Sequence, residues 1–403
     1  MKNILVGQSG GPTAVINASL YGVANAAFES EQIHTVYGML NGIEGFLNGN
    51  YTDMSKISKE EMEALRTTPA SYLGSCRYKL PDNLEDDIYR TIFDKLNELD
   101  ISAFFYIGGN DSMDTVSKLS RYAKTIQSNI CFIGIPKTID NDLFLTDHTP
   151  GFGSAAKFVA STVREIGRDT CVYDKETVTI IEIMGRNAGW LTAASVLARQ
   201  ESGDNPALIY LPETDFSEED FLKSVKEALS RKKTITVCVS EGIHESDGSF
   251  ICEKTSSMVV DNFGHKTMNG CGKYLENLVK ERLGIKVRSV ELNVTQRCSS
   301  AYLSETDVIE AENSGRFAIE AALADKTGCM IACFRKKSSE YEAEYATVDV
   351  NEVCNKEKCV PLSWITKKGT DISQEFIDYA LPLIQGDIEV PKKDGLPYFA
   401  YYK

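Results

Sequence analysis

The feature that most constrains this chain is a hand-off that recurs along it. A short apolar, β-branched run ends directly in a cluster of glycines or charged residues, and a helical pattern follows. Residues 3–8 lead into Gly10 and Gly11, residues 103–107 into Gly108 to Ser112, and residues 130–133 into the stretch Lys137 to Asp142. Further on, residues 178–183 lead into Gly185 and Arg186, and residues 234–239 into Glu241. Apolar runs of this length are strands buried on both faces, and helices between them join them in parallel. The sequence therefore predicts an α/β chain of parallel sheets. Ligands of such sheets bind at the carboxyl ends of the strands. The polar clusters are thus expected to converge on one cleft, each half of the chain supplying a wall.

The cluster that narrows the chemistry most is Gly134-Ile135-Pro136-Lys137-Thr138-Ile139-Asp140-Asn141-Asp142. It sets one cation, one hydroxyl and two carboxylates side by side after a buried strand. A phosphoryl-transfer site needs that mixture: a base for the attacking hydroxyl, a cation for the moving phosphoryl group, and a carboxylate near a metal.

The other clusters carry two readings each. Gly10 and Gly11, with Pro12 at the start of a helix, make an anion site from bare backbone N–H groups and the helix dipole, or simply a tight turn. Small residues surround Arg77 in Thr67 to Tyr78, which suits either a backbone folded close to a ligand or a surface loop with a solvated arginine. Asn110 or Asp111 approaches a metal-bound phosphate, or Asp111 only caps the helix that follows. His148 reads as a hydrogen-bonded loop residue. The first domain is read as 1–150 and the second as 151–297. Residues 298–403 return as helix and strand and end in a proline- and charge-rich cap.

Bulk properties exclude several classes. The chain has 403 residues, too many for one small core. Its 43 basic and 58 acidic residues give a net charge of −15, against a nucleic-acid or anionic-membrane partner. Any phosphate substrate must therefore find its cations locally concentrated. The 11 cysteines show no C-x-x-C pair and several lie in apolar runs, so they read as reduced thiols. No apolar run reaches the length of a membrane span, and the first residues read as a strand and not as a signal peptide. A cytoplasmic protein is expected.

Taken together, Ser9-Gly10-Gly11, Gly74-Ser75-Cys76-Arg77, Gly108-Gly109-Asn110-Asp111-Ser112, the Pro136 to Asp142 stretch, Met184-Gly185-Arg186, Glu241-Gly242 and Gln296-Arg297 resemble the phosphofructokinase family, in order and spacing, over about residues 1–330. The resemblance implies that fold, with two Rossmann-like parallel-sheet domains and the active site in the cleft between them. It implies a donor-phosphate and metal domain first and a sugar-phosphate domain second. It makes Asp140 the base that deprotonates the 1-hydroxyl of fructose 6-phosphate. Thr138, Ile139, Met184, Gly185, Arg186 and Glu241 would line the sugar, with Arg288 and Arg297 at its phosphate. Arg77 would contact the phosphoryl group in flight, Gly10 and Gly11 would form the donor loop, and Asn110 and Asp142 would serve Mg²⁺.

Two positions choose the donor. Members that use ATP carry glycine where this chain has Asp111 and Lys137. A carboxylate at 111 would face the α-phosphate of ATP, and like charges in a partly dry cleft repel by several kcal/mol. An ammonium at 137 neutralises charge on pyrophosphate. This pair resembles the pyrophosphate-dependent members, so pyrophosphate is the expected donor, with fructose 1,6-bisphosphate and phosphate as products. The chain departs from the family pattern at Asn110, where an aspartate is usual, at Val294 in place of a His or Tyr, and at Thr177 in place of an arginine. Val294 and Thr177 leave the acceptor open, so sedoheptulose 7-phosphate is an alternative, as is an ATP-dependent reaction; a catalytically silent regulatory subunit that binds sugar phosphate is a further alternative, against which intact Asp140, Asp142, Lys137 and Arg77 argue. A homo-oligomer is expected, a dimer before a tetramer.

Overall fold

The computed structural model describes residues 2–172, 174–201, 203–254, 270–338 and 340–402. Its main strands, in chain order, are β1 (Lys2–Gln8), β2 (Ile33–Met39), β3 (Tyr51–Asp53), β4 (Ile101–Gly108), β5 (Cys131–Pro136), β6 (Thr177–Ile183), β7 (Leu208–Tyr210), β8 (Thr234–Ser240), β9 (Lys286–Glu291), β10 (Cys329–Arg335) and β11 (Ala343–Asp349). The chain divides into two units, one of Met1–Phe152, Arg297–Lys356 and Gly386–Lys403, the other of Gly153–Gln296 and Glu357–Gln385.

The first unit is built on a seven-stranded sheet in the order β11-β10-β5-β4-β1-β2-β3. Its central pairs, β2 with β1, β1 with β4, β4 with β5 and β5 with β10, are parallel, and the two outermost pairs are antiparallel. Successive side chains of a strand leave by opposite faces. Ile4, Val6, Phe105, Ile107, Ile133 and Ile135 therefore face one way, against the helices Ile16–Glu29 and Glu305–Leu323. Leu5, Phe104, Tyr106 and Phe132 face the other, against Asp87–Glu98 and Asn110–Thr125. Both faces are covered, which is why these strands read as unbroken apolar runs.

The helices Ile16–Glu29 and Glu305–Leu323 meet backbone to backbone. A Cβ at Gly22 would stand 2.0 Å from the carbonyl oxygen of Glu312, and one at Gly315 would stand 2.2 Å from that of Ser19. The last segment closes this end of the unit. Ile388 and Val390 pack against Ala14, Val15, Leu303 and Val308, and the Ala400 N–H donates to Thr68 Oγ1 at 3.0 Å.

The second unit holds an all-parallel sheet in the order β7-β8-β6-β9. Val178, Ile180, Ile235, Val237 and Val239 pack against the helices Glu218–Arg231 and Cys271–Leu283. The first of these helices starts as its sequence dictates: Ser217 accepts the Asp220 N–H, and Glu218, Glu219 and Asp220 fill the positive end of the dipole. Tail residues complete the edge, where Ile209 N–H donates to the Thr370 carbonyl at 3.0 Å and Arg199 pairs with Asp371 at 2.7 Å. The eleven cysteines are free thiols, seven of them buried. Among the described residues no helix is long and apolar enough to cross a membrane.

Candidate active site

In the first unit the polar clusters stand at the carboxyl ends of β1, β4 and β5, which are sheet neighbours. Lys137, directly after β5, is the centre of the group. Its side chain is only 2% exposed, and its Nζ donates to the Gly11 carbonyl at 2.5 Å. A Cβ on Gly10 would lie 3.5 Å from that Nζ, and one on Gly11 would lie 3.5 Å from Arg297 Nη1. Gly10, Gly11, Lys137 and Arg297 are thus brought together, and Gly10 is in the left-handed region, φ 76°, that favours glycine. Burial pulls the Lys137 ammonium down to about 8, against the opposing pull of Asp140 and Asp142 and with help from Arg297. One buried cation, a second cation and two carboxylates thus stand near one another.

The loop after Lys137 is stapled from within. The Asp140 N–H donates to Thr138 Oγ1 at 3.1 Å, and Asn141, held at φ 55°, accepts the Thr149 N–H at 3.1 Å. Thr149 Oγ1 donates to the Thr138 carbonyl at 2.9 Å, and the Thr138 N–H reaches the Pro150 carbonyl at 3.2 Å. Ile139 is buried. Asp140 and Asp142 are half-buried, with oxygens that suit a hard cation.

At the end of β4 the helix starts at Asn110, with Gly109 as its N-cap and no side-chain cap. Asp111 is therefore not the capping residue. It lies exposed in the first turn, where the helix dipole stabilises a carboxylate. Asn110 is engaged on both sides of its amide: Nδ2 donates to the Lys356 carbonyl at 2.7 Å, and Oδ1 accepts the Asn355 N–H at 2.6 Å. One lone pair of that oxygen remains for a further contact.

The Arg77 loop is held by residues that sequence reasoning passed over. Asn17, fully buried, donates to the carbonyls of Thr68 (2.9 Å) and Ala70 (2.6 Å), and accepts from Gln8 Nε2 (2.8 Å) and the Tyr72 N–H (2.9 Å). All four of its hydrogen-bond positions are filled. Gln8 Oε1 accepts the Leu73 N–H at 2.9 Å, and Ser75 Oγ donates to the Gly10 carbonyl at 2.8 Å. Arg77 itself is exposed two residues beyond Ser75. The signal was present in the sequence: a glutamine ending an apolar strand, and an asparagine on the apolar side of the first helix.

In the second unit β6 and β8 are neighbours, and their ends meet. Gly185, at φ 141°, gives its N–H to Glu241 Oε1 at 3.3 Å, and the Ser240 hydroxyl donates to the Gly185 carbonyl. Gly242 lies against the Arg186 backbone, where a Cβ would stand 1.9 Å from its carbonyl oxygen. The Met184 N–H donates to Gln296 Oε1 at 3.2 Å. Tail residues overlie the next turn. Trp190 Nε1 donates to the Lys358 carbonyl at 2.7 Å, and Glu213 Oε1 accepts the N–H groups of both Gly189 (2.8 Å) and Val360 (2.9 Å). Met184, Gly185, Arg186 and Glu241 are thus assembled. Arg288 is not with them: it pairs in register with Thr179, below the carboxyl end of β6, and its guanidinium is bound to Asp169.

The model of a protein family described as phosphofructokinase matches residues 3–322. A pyrophosphate--fructose 6-phosphate 1-phosphotransferase of Methylococcus capsulatus is 39% identical over 98% of this chain and 94% of the relative. One of Halomonas elongata is 38% identical over 99% and 95%. Among solved structures, a pyrophosphate-dependent phosphofructokinase from Nitrosospira multiformis superposes with a TM-score of 0.89 at 36% identity, covering 99% of this chain and 95% of that one.

Proposed function

This chain belongs to the phosphofructokinase family, and from its likeness over nearly its whole length to pyrophosphate-dependent relatives we infer that it is a pyrophosphate-dependent phosphofructokinase, a phosphotransferase that phosphorylates fructose 6-phosphate. The observation that carries the choice of donor is Lys137, an ammonium buried in the donor loop and bonded to the Gly11 carbonyl.

The roles proposed are those that the resemblance implies, and the chemistry of the residues agrees with them. Asp140 accepts the proton of the sugar's 1-hydroxyl as that oxygen attacks the phosphorus of pyrophosphate, and phosphate leaves. The products are fructose 1,6-bisphosphate and phosphate, and the reaction is reversible. Lys137, Arg77 and the N–H groups at Gly10 and Gly11 bear the charge of the pyrophosphate and of the moving phosphoryl group. Arg297, which stands with Gly11 and Lys137, supplies a further cation to the phosphates. The resemblance gives Thr138 and the Ile139 backbone of the first unit, and Met184, Gly185, Arg186 and Glu241 of the second, as sugar-phosphate contacts; Arg288, its further cation, is held by Asp169. Asp111 disfavours ATP by setting a carboxylate at the start of its helix.

The family uses a divalent metal. The oxygen-rich donor set here suits Mg²⁺, with Asp142 and the remaining lone pair of Asn110 to hold it, directly or through water. When bound, the metal neutralises phosphate charge; everything else in the reaction is positioning and proton transfer by the residues named. The enzyme is proposed to be cytoplasmic and homo-oligomeric, with a dimer favoured.

A coupled assay with either donor tests this. Turnover with pyrophosphate and not with ATP is expected, lost in Asp140→Asn, and lost with pyrophosphate in the double variant Asp111→Gly/Lys137→Gly. Turnover with ATP alone overturns the donor assignment, and no turnover with any donor favours a silent regulatory subunit.

A further inference from the structure

Behind the Asp140 loop, inside the first unit, lies a buried ionic cluster that the reaction does not use. His148 is 2% exposed. Its Nδ1 stands 2.8 Å from Asp147 Oδ1, and its Nε2 stands 2.6 Å from Glu310 Oε2, on the helix Glu305–Leu323. Tyr341 donates to the other oxygen of Glu310 at 2.5 Å. Cys333 Sγ, on β10, lies 3.7 Å from Nε2, and Arg335 Nε donates to Asp147 at 2.8 Å. Tyr345 is a further titratable group close enough to sense the His148 charge.

His148, Glu310 and Cys333 are of the types that hold a metal, and their ligand atoms lie within 4.8 Å of one another. The geometry argues otherwise. Two ligands on one tetrahedral ion with bonds of about 2.1 Å stand about 3.4 Å apart. The 2.6 Å between Nε2 and Oε2 is a hydrogen bond. The charges also balance without an ion: the carboxylates of Asp147 and Glu310 face the imidazolium and Arg335. Burial works against that imidazolium, but Glu310 and the hydrogen bond to Asp147 outweigh it, so His148 keeps its proton well above the usual imidazole range.

The segment that carries His148 is the support of the catalytic loop. Its next residues make the contacts that fix that loop: Thr149 to Asn141 and Thr138, and Pro150 to Thr138. Gly151 N–H is in turn anchored on Asp307 Oδ1 at 2.8 Å. We infer that His148, clamped as a cation between Asp147 and Glu310, is a positioning residue that sets the Asp140–Asp142 loop on the helix Glu305–Leu323. The inference rests on the reaction proposed above, since it gives that loop its task.

The test uses the full-length protein with His148→Gln, which keeps hydrogen bonding and removes the charge, and with His148→Gln/Glu310→Gln, which restores charge balance. For His148→Gln, kcat is expected to fall about 10- to 100-fold, the range set by a displacement of about 1 Å, while the KM values for pyrophosphate and fructose 6-phosphate stay within about twofold of wild type. Amide hydrogen exchange in peptides covering 138–151 should quicken. The double variant should regain the wild-type melting temperature but not its kcat or its slow exchange. A role confined to stability predicts the opposite, with kcat returning alongside the melting temperature. That result, or wild-type kcat and exchange in the single variant, overturns the inference. If wild type uses only ATP, the donor reading fails, and the same comparison run with ATP still decides the role of His148. If no donor supports turnover, hydrogen exchange alone decides it.

Discussion

Replacing Lys137 with methionine separates what the fold wants at that position from what the reaction wants. The ammonium is buried, and its pKa falls from 10.5 to about 8. The unfolded lysine keeps its proton up to its ordinary pKa and the folded one only to about 8. The cost of holding the charge is therefore present in full below about pH 8 and fades as pH rises toward 10.5. At 1.36 kcal/mol for each pKa unit, that cost is about 3 kcal/mol. Methionine matches the apolar stem and removes the charge, but leaves the Gly11 carbonyl without its donor, a loss of about 1 kcal/mol. The balance is a gain of about 2 kcal/mol at pH 7. For a unit of this size the melting temperature should rise by about 4 °C. Turnover with pyrophosphate should fall by about 10²- to 10³-fold, the usual effect of removing one preorganised charge-stabilising donor. Melting curves at pH 7 and pH 10, with the coupled assay at pH 7, measure both effects. The gain should shrink at pH 10, and wild-type kcat/KM for pyrophosphate should decline above about pH 8 as the free enzyme loses the cation. A Lys137→Met protein that melts below wild type at pH 7 would show that the buried charge costs the fold little, and one that keeps its pyrophosphate turnover would remove Lys137 from the reaction.

Two further predictions concern the scaffold. Gly22→Ala places a Cβ 2.0 Å from the Glu312 carbonyl oxygen. The helices must part, at a cost of about 1–3 kcal/mol or more, read as a lower melting temperature; an unchanged melting curve would show that the two helices do not meet as described. Glu182, buried at the end of β6, accepts the N–H groups of Gly270 (3.2 Å) and Gly272 (2.6 Å), and burial raises its pKa to about 7. A carboxyl raised in the folded state favours folding below its ordinary pKa near 4.5, and that contribution, about 3 kcal/mol, is lost as pH rises through 7. Glu182→Gln should flatten the stability profile between pH 5 and pH 8 in denaturant titrations, and parallel profiles for the two proteins would count against it.

What the sequence made legible was what period and residue chemistry record locally. Runs buried on both faces announced β1, β4, β5, β6 and β8, and the charged or glycine-rich residues after them marked where chemistry would sit. β2 escaped because His34 and Thr35 interrupt its apolar pattern, although its partner is the central β1. Which polar residue serves the reaction and which serves the fold is a matter of contacts distant in sequence, and periodicity carries none of that information. Asn110 shows the difficulty: both sides of its amide are bonded to the 355–356 backbone, some 245 residues away, which leaves one lone pair of its oxygen. The resemblance set Arg297 with Arg288 at the sugar's phosphate; in the structure Arg297 stands beside Gly11 and Lys137, while Arg288 sits at the level of Thr179 and holds Asp169. Asn17 and Gln8, polar residues in apolar surroundings, are cases where the anomaly itself was the signal. A buried amide costs several kcal/mol unless its hydrogen bonds are met, so its presence in a core pattern implies a backbone brought there to meet them. Here that backbone is the loop from Thr68 to Leu73, and the position of Arg77 depends on it.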